Sequence, residues 1–380
     1  MDNLTHSLIG LAASKAGLER LSPGTTTLCI LAANAPDADI VAVLGGRWNY
    51  LHHHRGITHS IVGTLAFAVA LPLVFYLADR LIARFRNRPP SVRFYGLLIA
   101  SLVVSATHPF MDWTNNYGMR FLLPWSGRWS YGDLVFIIDP FLWLMLGGSA
   151  FLLTATTKGR AAIWLILAAA TSFIVLFGPA SRGGLPNPTP LRIVWVCALV
   201  TILVLHLQGG ARRWGAKVSR TALVTIGFYL IALFVVHQFA LRQTGVESSK
   251  IATENREQAI KIAAMPTLAN PTRWISMLET DQATYRFNLD LLSGNTSSMV
   301  RFPKPQGPAV VALTKAKEDY GAQVFLEFSR FPVINVAGVD CLTQTLVQFA
   351  DLRYTEPGRG RGTFSLEVPV DCPVPPERAQ

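Results

Sequence analysis

The chain has 380 residues, of which 51% are hydrophobic and only 15% are charged. This composition is too apolar for a soluble protein of this length and predicts a membrane protein. The net charge of +11 would suit a nucleic-acid-binding protein, but the basic residues are divided among short loops between apolar segments. We therefore expect no nucleic-acid partner.

Seven apolar segments are each close to the ~20 residues that a transmembrane helix requires. A shorter segment, residues 3–18, reaches only about 24 Å at ~1.5 Å per residue, so it is either an eighth, tilted span or a re-entrant helix. The seven longer segments cover residues 26–44, 60–82, 94–111, 134–155, 161–178, 191–207 and 221–240.

Basic residues mark one set of loops as cytoplasmic under the positive-inside rule. That set contains Arg80, Arg84, Arg86, Arg88, Arg93, Lys158, Arg160, Arg212, Arg213, Lys217 and Arg220. The alternate loops carry fewer basic residues, namely Arg47, Arg55, Arg120, Arg128, Arg182 and Arg192. With eight spans, this assignment leaves both chain termini outside the cytoplasm.

The same topology, which depends on the basic residues alone, places histidines and carboxylates at the outer ends of the first five spans. Ionisable groups at membrane depth are costly unless they are paired or coordinated. Imidazoles and carboxylates together are typical metal ligands, so we expect one site to collect them. The residues are His6, Asp37, Asp39, His59, His108, Asp112, Asp133 and Asp139.

Spacing ranks these candidates. His108 and Asp112 are four residues apart, so they share one face of a helix, and Pro36 is expected to break the second span and turn Asp37 and Asp39 toward a common point. We predict metal ligation by His6, Asp37, Asp39, His59, His108 and Asp112. Additional candidates have plainer alternatives: His53 and His54 lie in a loop where solvated histidines are common, and Asp133 and Asp139 would also serve as helix caps before Pro140.

Arg55 lies beside these histidines, and a guanidinium suits an anionic oxygen because it donates in a planar fork. Carboxylates, imidazoles and an arginine around divalent ions indicate metal-assisted hydrolysis of a phosphoester, in which the ion lowers the pKa of a water molecule. We predict catalytic roles for Arg55, as the anion clamp, and for Asp39, as a carboxylate base.

The composition changes after residue 241, and we expect a separate domain over residues 242–380. Residues 248–264 have the pattern of an amphipathic helix, and five alternating segments predict strands: 273–278, 285–291, 323–328, 346–354 and 363–370. The topology makes this β-rich α+β domain extracytoplasmic, where Cys341 and Cys372 are candidates for a disulfide.

Four sequence blocks resemble the YdjM/YbcI family of membrane-bound, metal-dependent hydrolases of the bacterial inner membrane: residues 1–7 (MDNLTHS), 34–39 (NAPDAD), 53–60 (HHRGITHS) and 108–112 (HPFMD). That family is distantly similar to zinc-dependent phospholipase C, whose helical His-x-x-x-Asp pair is matched by His108 and Asp112. The second pair of those enzymes, His-x-x-x-Glu, is absent after residue 112, which implies fewer ions or replacement by Asp133 and Asp139.

These observations predict a polytopic α-helical membrane protein of about seven to eight spans with a C-terminal extracytoplasmic domain. We expect a hydrolase with a divalent cofactor, zinc or alternatively manganese, acting on a small-molecule or lipid phosphoester among membrane lipids. The alternative is a membrane transporter or ion-binding protein that uses the same intramembrane charges. A haem-binding cytochrome is a third alternative, which the many carboxylates disfavour.

Overall fold

The computed structural model describes residues 1–181, 187–338, 345–359 and 362–371. The chain forms two compact units. The first contains Met1–Ala38, Arg55–His237 and Pro266–Pro271, and the second contains Asp39–His54, Gln238–Met265 and Thr272–Gln380. The boundary predicted after residue 241 falls within a long helix, Lys217–Asn255.

Helices dominate the first 255 residues, and short 3-10 helices at Leu18–Arg20, Ala35–Gly45 and Ile57–His59 connect several of them. The α-helices of this region are α1 (Asn3–Lys15), α2 (Thr25–Asn34), α3 (Arg47–His53), α4 (Ile61–Phe85), α5 (Phe94–Trp113), α6 (Pro140–Thr154), α7 (Lys158–Ser181), α8 (Thr189–Leu207), α9 (Gly210–Trp214) and α10 (Lys217–Asn255).

Six helical segments of the described chain are long and apolar enough to cross a membrane. They are Thr25–Gly45, Ile61–Phe85, Phe94–Trp113, Lys158–Gly178, Thr189–Leu207 and Lys217–Asn255. Each overlaps a predicted span, so the structure supports six of the predicted spans by the length and composition of their helices. The remaining predicted segments contain shorter helices, the 13-residue α1 and the 15-residue α6. Helix α6 is short because Asp139 caps it and Pro140 begins it, six residues after the apolar run starts.

Helix α1 is central to the first unit because it packs against α2, α5 and α6. Its apolar side chains Leu8, Ile9 and Ala12 share a buried core with residues of α6. On the side of α2, a Cβ atom placed on Gly10 would lie 2.5 Å from the carbonyl oxygen of Cys29. This close approach of two backbones requires glycine. It fixes α1, and with it His6, against the ends of α2 and α5.

The second unit contains two sheets and two further helices. The strands are β1 (Ala259–Thr267), β2 (Asn270–Thr280), β3 (Ala283–Asp290), β4 (Thr296–Pro303), β5 (Pro332–Ala337), β6 (Thr345–Asp351) and β7 (Ser365–Val370). One sheet has the order β1-β2-β3-β4 and the other β5-β6-β7. Neighbours pair antiparallel from β2 to β4 and from β5 to β7, with Met277 opposite Arg286 and Phe349 opposite Leu366.

Helices α11 (Pro308–Ala316) and α12 (Tyr320–Phe328) pack against the smaller sheet. The β-rich C-terminal domain is therefore confirmed. Its extracytoplasmic location stays a prediction, and Cys341 and Cys372 lie outside the described residues.

Two sequence predictions in this unit are wrong. Residues 323–328 form part of α12 rather than a strand, because Asp319 caps a helix whose buried residues Val324, Phe325 and Phe328 follow a helical period. The helix predicted over residues 248–264 ends at Asn255, since Arg256 adopts a left-handed φ of 58° and stops it. Residues 259–267 then form β1.

Candidate metal centre

His108 and Asp112 lie in the last two turns of α5, and both are buried. Their four-residue spacing places them on one helical face, as predicted, with His108 Nε2 3.5 Å from Asp112 Oδ2. Pro109 lies between them, and the helix continues through it to Trp113. The pair therefore presents one nitrogen and one oxygen to the same point.

Two 3-10 helices supply the other members. Asp37 follows Asn34, where α2 gives way to the 3-10 helix Ala35–Gly45, in agreement with the predicted break near Pro36. His59 ends the 3-10 helix Ile57–His59, and its buried ring points inward. His59 Nε2 lies 3.2 Å from Asp37 Oδ1 and 3.5 Å from Asp112 Oδ2.

Together Asp37, His59, His108 and Asp112 form the candidate metal centre, and their four ligand atoms all lie within 4.8 Å of one another. Four of these distances are 3.2, 3.5, 3.5 and 3.6 Å. A regular tetrahedron around zinc, with bonds of about 2.0–2.2 Å, has edges of about 3.3–3.6 Å. Octahedral magnesium would need neighbouring ligands at about 2.9 Å. Four of the six separations and the imidazole ligands are therefore compatible with tetrahedral zinc.

The ring of His108 is oriented for ligation. Its Nδ1 donates a hydrogen bond of 2.6 Å to the carbonyl oxygen of Ala33, which leaves the lone pair on Nε2. Nε2 is buried and has no hydrogen-bond partner in the described part of the chain. It faces carboxylate oxygens of Asp37 and Asp112 at 3.6 and 3.5 Å. A lone pair beside two carboxylates is unfavourable unless a proton or a metal ion lies between them, and the grouping of four ligand atoms is compatible with a metal ion.

The second oxygen of Asp112, Oδ1, faces away from these ligands and is held by cationic or polar groups. Arg55 Nη2 donates to it at 3.1 Å, His6 Nε2 lies 3.2 Å away, and the amino group of Met1 also bonds to it. His6 additionally stacks on the ring of His108, with centroids 3.8 Å apart. His6, predicted as a ligand, thus supports the ligands His108 and Asp112 from behind.

Arg55 lies behind Asp112 rather than open to solvent. Its Nη1 donates to the backbone oxygens of Asp112 and Gly118, at 3.0 and 3.2 Å, and to Asn115 Oδ1 at 3.0 Å. The guanidinium also lies over the ring of Tyr117. These contacts bury Arg55, so the structure places it as a support for Asp112, whereas the sequence predicted a clamp for substrate.

The remaining predicted residues are not members of this four-residue set. Asp39 and His54 pair within the second unit, with Asp39 Oδ1 3.2 Å from His54 Nδ1, and His53 is exposed there. In the first unit, Asp139 caps α6 by accepting from the amides of Phe141 and Leu142. This is the plainer of its two predicted roles.

Asp133 is buried and adopts a φ of 54°. It is not among the four residues of the candidate metal centre.

Sequence reasoning missed three supporting groups: the carbonyl of Ala33, the hydroxyl of Thr58 and the amide oxygen of Asn115. Thr58 Oγ1 lies 3.0 Å from His59 Nδ1 and orients that ring. The position of Thr58 beside His59, and of Asn115 three residues after Asp112, was a usable signal. A backbone carbonyl such as that of Ala33 leaves no signal in the sequence.

Comparison with known proteins supports the resemblance of the four sequence blocks. Residues 1–185 match the family described as YdjM inner membrane protein, and this range contains all four blocks. The chain is also similar to the uncharacterized protein YfhP of Bacillus subtilis (strain 168), with 23% identity over 368 residues that cover 94% of this chain and 88% of the relative. No solved structure matches significantly. The predicted similarity to phospholipase C stays a prediction.

Proposed function

Because residues 1–185 match the YdjM inner membrane protein family, we propose that this membrane protein is a zinc-dependent hydrolase of phosphoesters. The observation that carries the proposal is Nε2 of His108, which has no hydrogen-bond partner among the described residues and faces two carboxylates in a set of four ligand atoms.

The ligand types favour a catalytic ion over a structural one. Structural zinc sites are usually rich in cysteine and closed, whereas catalytic sites use three His, Asp or Glu ligands and keep one position open. His59, His108 and Asp112 are fully buried and form such a three-ligand set. Asp37 is the most exposed member, with 19% of its side chain accessible. We therefore assign the fourth position, which Asp37 occupies in the four-residue set, to water in the catalytic state, with Asp37 beside that water.

Asp37 is also the carboxylate best placed to handle a proton. Its Oδ1 faces the imidazoles, and its Oδ2 accepts a 2.9 Å hydrogen bond from the exposed Asn3. In hydrolysis, the oxygen of water bonds to phosphorus, the ester P–O bond breaks, and the leaving alkoxide gains a proton. We assign Asp37 to accept the proton of the attacking water. The role predicted for Asp39 as a base stays a prediction.

A bound divalent cation lowers the pKa of water at the centre and offsets the negative charge that develops on the phosphoryl oxygens. The protein's own contribution is to fix the ligands. Ala33 and Thr58 orient the two imidazoles, and Arg55 and His6 hold Asp112 by its Oδ1 atom. Such outer contacts keep the ligands preorganised before substrate arrives.

The test is zinc content and hydrolysis of bis(p-nitrophenyl) phosphate by the full chain in detergent, for wild type, His108→Gln and His206→Gln. His206 is the control because it lies in α8 and contacts Phe151. We expect about one zinc per chain and activity in wild type and control, and loss of both in His108→Gln. Equal metal content and equal hydrolysis in all three proteins would overturn the proposal.

A transporter is the second candidate, and one observation favours it. Ser101 and Ser105 of α5 and Thr64 of α4 are buried, and their hydroxyls have no hydrogen-bond partner within the described residues. An unsatisfied buried hydroxyl costs about 1–3 kcal/mol, which ions or water passing along α5 would offset. This candidate predicts zinc or proton flux into liposomes that falls in a Ser101→Ala, Ser105→Ala variant. Wild-type flux no greater than that of protein-free liposomes would exclude it.

A further inference from the structure

The candidate metal centre lies at the ends of two membrane-spanning segments. His59 precedes the first residue of the span Ile61–Phe85 by two positions, and His108 and Asp112 lie at the end of the span Phe94–Trp113. The end of a span meets the headgroup region of a bilayer. The ligands are therefore at the depth of lipid headgroups rather than at the bilayer centre or in bulk water.

Four exposed apolar side chains lie on the segment that contains His59 or on the loop bonded to that segment, and we call them the apolar rim. Ile57 and Ile61 flank His59 in the chain, and Leu122 and Trp125 come from the loop after α5. Their exposed fractions are 49%, 51%, 53% and 77% respectively. Two residues span at most about 7 Å of backbone, so the first two members of the rim cannot lie far from the centre.

The rim is held in place by the fold rather than left to collapse. Ile61 N donates to the carbonyl of Phe121 at 3.0 Å, which ties the loop to the start of α4. At the base of the loop, Met119 and Ser130 exchange two backbone hydrogen bonds of 2.8 Å. Arg120 is buried there against the ring of Trp129. Leu122 and Trp125 therefore stay exposed although their loop is fixed.

Four exposed apolar side chains on ordered segments indicate an apolar partner. The rim begins where α4 begins, and α4 continues it with the exposed side chains Val62, Leu65 and Val69 of a membrane-spanning helix. Since that face contacts lipid in a membrane, the partner of the rim is the same bilayer. Trp125, followed by the exposed Arg128, is the residue pair expected at a headgroup interface.

We propose that the substrate is a phosphoester in the headgroup of a membrane lipid whose acyl chains stay in the bilayer against the apolar rim. This inference rests on the proposed function. The headgroup would reach the centre from the accessible side of Asp37, and water would add to phosphorus as the ester P–O bond breaks. The lipid-bound product would stay in the membrane, and the water-soluble product would leave.

The test compares two substrates for full-length protein in vesicles of phosphatidylethanolamine, phosphatidylglycerol and phosphatidate. One substrate is the vesicle lipid, followed by mass spectrometry of released products, and the other is bis(p-nitrophenyl) phosphate. A Leu122→Ser, Trp125→Ser variant is compared with Leu292→Ser, which changes an exposed leucine of the second unit. We expect the rim variant to lower the ratio of lipid to soluble turnover at least about tenfold, because loss of one apolar contact suffices for this factor. Leu292→Ser should keep the ratio of wild type.

Other outcomes separate this inference from the proposed function. Hydrolysis of the soluble substrate alone, or a rim variant with the wild-type ratio, would overturn the inference and leave the hydrolase standing. Hydrolysis of neither substrate would overturn the hydrolase and, with it, the lipid substrate. The membrane contact of the rim is then measured on its own, as the quenching of Trp125 fluorescence by lipids spin-labelled near the headgroup. The Trp125→Phe variant gives the signal of the other tryptophans, which is subtracted. Absence of quenching would assign the rim to a protein partner.

Discussion

Arg55 and Asp112 form a buried ion pair in which the guanidinium takes one carboxylate oxygen and leaves the other to the candidate metal centre. Nη2 of Arg55 lies 3.1 Å from Oδ1 of Asp112, while Oδ2 lies 3.5 Å from both His59 and His108. Arg55 adopts a φ of 54°, a conformation that is uncommon outside glycine. Such strain is frequent at functional sites, where the surroundings hold it in place. The pair therefore links the orientation of a ligand to the backbone just before His59.

Arg55→Lys tests this link. Lysine keeps the charge but loses the planar fork that bonds both to the side chain and to the backbone of Asp112. We expect zinc affinity to fall about 10- to 100-fold, as is usual when an outer partner of a ligand is changed. The measurement is zinc titration against a competing chelator, with the exposed Arg128→Lys as control. A lower melting temperature of the zinc-free protein with unchanged zinc affinity would show that Arg55 serves folding alone.

Asp37 and Asp112 should behave differently when each is changed to asparagine. Asp112 is buried and belongs to the three-ligand set, so Asp112→Asn should lose zinc. Asp37 is the exposed member and the assigned proton acceptor, so Asp37→Asn should retain much of the zinc but lose hydrolysis by about 100-fold or more. Zinc content and turnover measured on the same samples distinguish the two. Parallel loss of zinc in both variants would make Asp37 a plain ligand.

Much of the candidate metal centre could be predicted because it depends on short-range rules. The i, i+4 spacing of His108 and Asp112 holds in any helix, and Pro36 marks the break that exposes Asp37. His59 was found from its place just before a span. The topology then brought these residues together, because charges in loops record which ends of spans lie on the same side.

The roles of Arg55, His6 and Asp39 could not be predicted in the same way. Whether a guanidinium faces substrate or a carboxylate depends on the fold of Asn115, Tyr117 and Gly118 around it. The helical face of α1 that carries His6 is set by its packing on α2 and α6. In the second unit, the short apolar run 323–328 suits both a strand and a helix, so the sequence alone does not distinguish the two.

Gly10→Ala should weaken the first unit, because the added Cβ would lie 2.5 Å from the carbonyl oxygen of Cys29 and force α1 away from α2. Overpacking of this kind typically costs about 1–3 kcal/mol. Gly147→Ala is the matched control, since its Cβ would meet only Leu8, at 3.8 Å. Thermal unfolding in detergent should show a lower midpoint for Gly10→Ala alone. Equal midpoints would mean that α1 moves without cost.

The second unit should lose stability in acid through Glu257. Burial alone would raise the pKa of this carboxyl, but hydrogen bonds from Arg301, Thr280 and Tyr285 outweigh it and hold the pKa below its ordinary value of 4.5. A group with a lowered pKa stabilises the fold above its unfolded pKa and loses this contribution as pH falls through the folded value. We therefore expect stability to decline below about pH 4.5, and the decline to be shallower in Glu257→Gln than in the exposed control Glu254→Gln. The free energy of unfolding measured from pH 7 to pH 3 tests this. The same dependence on pH in both variants would show that Glu257 does not contribute to the acid sensitivity.

Gly321 in α12 should be needed for the packing of Trp48, which lies in the segment 39–54 of the second unit. A Cβ on Gly321 would lie 2.6 Å from Nε1 of Trp48, and this indole packs against the core of the smaller sheet. We expect Gly321→Ala to destabilise the protein by about 1–3 kcal/mol, whereas Gly362→Ala, with nothing within 4 Å, should have no effect. The segment 39–54 joins Asp37 to Arg55 along the chain, so displacing Trp48 should also weaken zinc binding. Thermal unfolding and zinc titration of both variants test the two effects separately. Normal zinc affinity in Gly321→Ala would show that the packing of Trp48 affects the stability of the second unit but not zinc binding.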